Sequence, residues 1–180
     1  MKTTKIAFLL VLFLAAATMA ASAQTQVFVP GNASGYFGNP ADQINPLVSA
    51  ITVNGPGTIT VTYVSGTVDI GGVEVDPNGI TQKDCPQTPL QEAIGISGGT
   101  CYHVGGLIGV FAPASTVSRS GFTAVDGTKG TVRIGIMPGL FFIGTSKTFE
   151  VKGAGTLFLG INDEHVSDNS GGFTVSVSVQ

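Results

Sequence analysis

Apolar and polar residues alternate along much of this chain. Ile59, Val61 and Tyr63 alternate with Thr58, Thr60 and Thr62. Leu157, Leu159 and Ile161 alternate with Phe158 and Gly160, and Phe173, Val175, Val177 and Val179 alternate with Thr174, Ser176 and Ser178. A period of two, rich in β-branched residues, predicts half-buried strands. Shorter runs predict further strands at 26–29, 48–53, 66–70, 107–111, 131–136, 140–143 and 148–152. Turn formers separate them at Asn54-Gly55-Pro56-Gly57, Asp76-Pro77-Asn78-Gly79, Asp126-Gly127, Pro138-Gly139 and Gly153-Ala154-Gly155. A helical stripe is missing throughout, and residues 90–94 could make a single turn. Many short strands at this spacing predict an all-β fold, a sandwich or a barrel. An outer-membrane barrel would need strands of about ten alternating residues and aromatic girdles; 3 tyrosines and no tryptophan do not supply them. A β-sandwich is therefore expected, with long irregular connections at 31–45 and 76–100.

The first 23 residues follow another pattern. Lys2 and Lys5 precede an almost unbroken apolar run from Ile6 to Ala21, and Ala21-Ser22-Ala23 has the small-x-small form accepted by a signal peptidase. The run is shorter than the roughly 20 residues of a membrane span. Residues 1–23 are thus expected to be an export signal, and residues 24–180 a single domain with no membrane insertion after cleavage. That domain has 157 residues, enough for one sizeable core. Without Lys2 and Lys5 it carries 6 basic and 11 acidic groups, a net charge of −5. A nucleic-acid partner, which would need a basic stripe, is not expected. Periplasm, cell surface and medium are equally compatible with export.

Two cysteines, Cys85 and Cys101, have fifteen residues between them. In an exported chain this minimal even set reads as one disulfide, worth roughly 3 kcal/mol in the chain-entropy model. A metal pair or redox dithiol would normally have closer spacing.

Catalytic chemistry has little to draw on. His103 and His165 lie in no metalloprotease, nucleophile-elbow or triad pattern. An enzyme is not expected. The segment Gly155 to Val179 is richer: a strand runs into Asn162-Asp163, and Asp168-Asn169-Ser170-Gly171 precedes the last strand. Asp163, Asp168 and Asn169 put three hard oxygen side chains into one hairpin connection, a donor type suited to calcium. Asp-Asn-Ser-Gly also suits an ordinary turn, because these residues bond their own backbone and tolerate positive φ. Asn162-Asp163 adds a second oxygen-rich pair, which is more than a turn requires.

This arrangement, G-x-L-x-L-x-x-N-D followed by a short loop and D-N-S-G-x-F-x-V-x-V, resembles the C-terminal hairpin of the calcium-dependent galactophilic lectins of bacteria, the PA-I type. The match is good over Gly155 to Val179, and it continues weakly upstream at Val61 to Gly71 and Leu107 to Val110. The resemblance implies a galactose-binding-domain-like jelly roll in which sugar hydroxyls complete a calcium shell. Carried onto this chain, the side-chain ligands are Asp163, Asp168 and Asn169. Carbonyl ligands come from Val166 or Ser167 and from Ile70. The sugar-binding set would be Asp163 and Asp168, with His103 or Gln91 standing in for the family's sugar-contacting side chains. The loop is two residues shorter than in those lectins, and Asp168 stands where they have an asparagine.

The resulting expectation is an exported, calcium-dependent carbohydrate-binding domain, with oligomerisation compatible. The alternative is a structural or surface-interaction β-sandwich, with or without calcium, that lacks a sugar site. The aromatic candidates for a sugar platform are Tyr36, Phe37 and Tyr102.

Overall fold

The computed structural model describes residues 24–33, 47–83, 96–97, 99–114, 140–163 and 165–180. The expected signal segment, Cys85, Gln91, Tyr36, Phe37, the expected strand at 131–136 and the turns at Asp126-Gly127 and Pro138-Gly139 lie outside them. The described strands are β1 (Gln24–Pro30), β2 (Val48–Val53), β3 (Gly57–Ser65), β4 (Val68–Ile70), β5 (Glu74–Val75), β6 (Ile80–Lys83), β7 (Ile96–Ser97), β8 (Thr100–Val104), β9 (Leu107–Pro113), β10 (Leu140–Phe142), β11 (Ser146–Val151), β12 (Gly155–Ile161) and β13 (Asn169–Val179). One 3-10 turn, Val166–Asp168, stands before β13. Among the described residues no helix is long and apolar enough to cross a membrane.

The strands form antiparallel sheets in a β-sandwich-like arrangement. One sheet has the order β11-β3-β13-β4-β5, with β1 also paired to β13; the second has the order β10-β9-β12-β2. A smaller sheet, β6-β8-β7, accompanies them. The alternation explains the layering. Ile59 and Val61 of β3, Phe173, Val175 and Val177 of β13, and Leu157, Leu159 and Ile161 of β12 are fully buried in one cluster shared by the two large sheets. Their neighbours Thr60 and Thr62 face outward, where Thr60 Oγ1 meets Thr148 Oγ1 at 3.0 Å. The second sheet is covered on both faces, because Val110, Ala112 and Phe158 are buried in a separate cluster with Leu47.

Two local irregularities shape the end of the sandwich nearest the loop. Tyr63 pairs with Val175 and Ser65 with Thr174, so Val64 is a bulge residue and is 47% exposed. Beyond the bulge Gly66, at φ 100°, bends the chain into β4, whose residues Val68 to Ile70 pair with Gly171 to Asn169. Gly172 N donates to Thr67 O between the two ladders at 2.8 Å. The long connection expected at 76–100 is corrected in part: β6 lies inside it, and Thr100 begins β8.

Candidate functional site

The loop between β12 and β13 begins where the alternation of β12 stops. Asp163 N donates to Ile161 O at 2.9 Å, which turns the chain immediately after the strand. Asp163 Oδ1 accepts the backbone N–H of His165 at 3.0 Å, and the residue is only 8% exposed. The buried Val166 side chain anchors the 3-10 turn, and Asn169 N–H donates to the Val166 carbonyl. A carbonyl oxygen has two lone pairs, so that of Val166 retains acceptor capacity.

Asp168, Asn169 and Ile70 are brought together by sheet register. Asn169 stands opposite Ile70 in the β4–β13 ladder. A Cβ placed on Gly71 would lie 2.9 Å from Asp168 Oδ2, so this carboxylate rests against a position without a side chain, next to Ile70. Gly71 has φ 63°, a conformation that glycine adopts at little cost. Asn169 Nδ2 donates to Gly31 O at 2.8 Å, tying the start of β13 to the end of β1. Its other amide atom, Oδ1, is buried with no hydrogen-bond partner. A buried acceptor left in that state costs about 1–3 kcal/mol.

His103 occupies different surroundings. It has φ 58° near the end of β8, its ring stacks on Phe142 with centroids 3.7 Å apart, and Nδ1 lies 2.9 Å from Asn78 O. Because a carbonyl only accepts, Nδ1 carries the proton in that contact. Tyr102 beside it is 39% exposed. The expected disulfide partner Cys101 is fully buried in β8.

The residue that links His103 to the loop is Asn162. It is fully buried; Nδ2 donates to Tyr102 O at 3.1 Å and to His103 O at 2.9 Å. Its backbone N–H donates to Gly106 O, and its carbonyl accepts from Gly105 N, both at 2.8 Å. Its Oδ1 is a second buried amide oxygen with no hydrogen-bond partner. Sequence reasoning took Asn162 as part of an oxygen-rich pair and missed its role as a clamp. The signal available was its place directly after a buried strand, where a polar residue must find backbone partners.

Among the described residues no group of three or more His, Cys, Asp or Glu side chains is placed to hold a metal. The oxygens that Asp168, Asn169 and Ile70 bring to this end of β13 are carboxylate, amide and carbonyl, types that suit a hard cation such as calcium better than zinc. No family model matches the chain, and no curated protein is significantly similar to it.

Proposed function

We propose that this chain is an exported, calcium-dependent carbohydrate-binding domain with the galactose-binding-domain-like form of the sandwich. The observation that carries the reading is Asn169 Oδ1, a buried oxygen without a donor, across the ladder from Ile70 and next in sequence to Asp168. Asp163, Asp168 and Asn169 are the proposed side-chain ligands, with the carbonyls of Val166 and Ile70. A bound calcium would supply open coordination positions for the vicinal hydroxyls of a sugar. The chain's own part is to hold these oxygens in place: β4 and β13 fix Ile70 and Asn169, the 3-10 turn fixes Asp168, and the His165 amide orients Asp163. Signal cleavage after Ala23 and a Cys85–Cys101 disulfide belong to the same proposal. No free cysteine occurs among the described residues, which supports the second.

A sandwich that binds calcium without sugar is the second reading. It is favoured by the setting of His103, whose ring face is taken by Phe142 and whose Nδ1 is taken by Asn78 O.

Calorimetric titration of residues 24–180 with calcium, and then of the loaded protein with galactose, tests both. Heat in each step supports the lectin reading; calcium heat alone supports the second; no heat in either step removes calcium from the function. A ligand that binds only the native state stabilises it by RT ln(1 + [L]/Kd), about 2.7 kcal/mol at a hundred times Kd. Asp163→Ala and Asp168→Ala are each expected to abolish the calcium-dependent rise in Tm. A full rise in both variants would refute the ligand assignment.

A further inference from the structure

The sequence contains two Asn-Gly pairs, Asn54-Gly55 and Asn78-Gly79, and the fold treats them in opposite ways. We infer that Asn54 is a site of spontaneous deamidation and that the fold protects Asn78 from the same reaction. In this chemistry the backbone nitrogen of the following residue attacks the side-chain Cγ. A C–N bond closes a five-membered imide, the Cγ–NH2 bond breaks, and ammonia leaves with the amide proton. Water then opens the imide at either carbonyl, giving aspartate or isoaspartate. Nothing is oxidised or reduced, and water is the only co-reactant. Glycine in the following position leaves the attack least hindered, because it has no Cβ and rotates freely.

The Asn54 turn meets every requirement. Asn54 is exposed, and a Cβ built on Gly55 would have nothing within 4 Å, so the backbone has room to rotate. Residues 54–56 cross from β2 in one sheet to β3 in the other. Neither Asn54 nor Gly55 makes a turn or side-chain hydrogen bond among the described residues.

Asn78 is also exposed, but every group the reaction would have to move is held. Gly79 N, the attacking atom, donates to Asp76 O at 2.9 Å. Asn78 N donates to Asp76 Oδ1 at 2.7 Å, and Asn78 O accepts from His103 Nδ1 at 2.9 Å. Gly79 has φ 65°, and a Cβ there would come within 2.5 Å of Val104 O and 2.7 Å of Gly106 N, so its backbone is packed against the β8–β9 connection. Reaction at Asn78 must wait for local opening.

Conversion of Asn54 adds one negative charge to a chain of net charge −3, and isoaspartate also inserts a methylene into the backbone at the crossing. Val53 pairs with Gly155 at the start of β12, whereas the candidate loop follows its end. The change is therefore expected to leave cation binding unaltered.

The test is peptide mapping of the folded protein during incubation in mildly alkaline buffer, with fragmentation that separates aspartate from isoaspartate. Asn54 is expected to react at least about tenfold faster than Asn78, the factor equivalent to about 1.4 kcal/mol, and the difference should collapse in denaturant. Gly55→Ala should slow the reaction at Asn54, and Asp76→Ala should release Asn78. Equal rates in the folded protein, or a faster Asn78, would overturn the inference. So would a rate difference that persists in denaturant, since local sequence rather than the fold would then be responsible.

Discussion

Replacing Asn162 by alanine withdraws one side-chain amide from two backbone carbonyls, those of Tyr102 and His103. The expected cost is about 1–3 kcal/mol, from carbonyls stripped of their donor. Asn162→Asp should cost more, because it aims a carboxylate at those same oxygens inside a fully buried site. Chemical denaturation of both variants checks the order; an aspartate variant as stable as the alanine one would mean that the donor role is misassigned. The oxygen side chains of this loop were legible in the sequence as types, since Asp and Asn cluster around Asp163 and Asp168. Their partners were not legible. Gly31 lies far from Asn169 in sequence, and only the pairing of β1 with β13 brings its carbonyl to the Asn169 amide.

At the scale of the elements, Gly66 is the joint on which the candidate loop depends, since it lets β4 follow β3 along the same strand, β13. Alanine at this position would have to adopt φ 100° with its Cβ pressed against the Gly172 carbonyl. Gly66→Ala is expected to lose at least about 1–3 kcal/mol from the backbone conformation alone. If the proposed calcium site is correct, it should also weaken calcium binding more than a core substitution of equal cost, because it displaces the Ile70–Asn169 pair. Comparing the variant with Leu159→Ala in both denaturation and calcium titration separates the two effects. Among the strands most readable in advance were β3 and β13, whose apolar positions recur with a period of two, whereas β12 is buried on both faces and was marked by its apolar run. β6 was unreadable for the converse reason: all four of its residues are exposed, so no alternation exists to be seen. β5, with two residues, is too short to show a period.

For the whole molecule, the sandwich could be expected from the number and spacing of strands, but the division of those strands between sheets could not. β2 and β3 are neighbours in sequence, joined by the short turn Asn54-Gly55-Pro56-Gly57, yet they belong to different sheets. β9 reads as a nearly continuous apolar run because both of its faces are covered. The dominant ladders join distant segments, with β1 paired to β13 and β3 to β11. Closing such loops is slow, so refolding is expected in milliseconds to seconds, as for other all-β sandwiches. Stopped-flow fluorescence of the three tyrosines would measure it.

The pairing of β1 with β13 also decides how the molecule would respond to force. Gln24 stands opposite Ser178, so a pull applied through residue 24 and residue 180 loads both strands from the same end. The hydrogen bonds of an antiparallel ladder lie across the strands, and under that pull they would break one after another like the teeth of a zipper, never sharing the load. Tethered at residues 24 and 180, the described fold would yield at low tension, β1 peeling away first. Peeling β1 away would draw Val29 out of the core and then release the Gly31 carbonyl from Asn169, so mechanical stretch would be felt at the candidate loop.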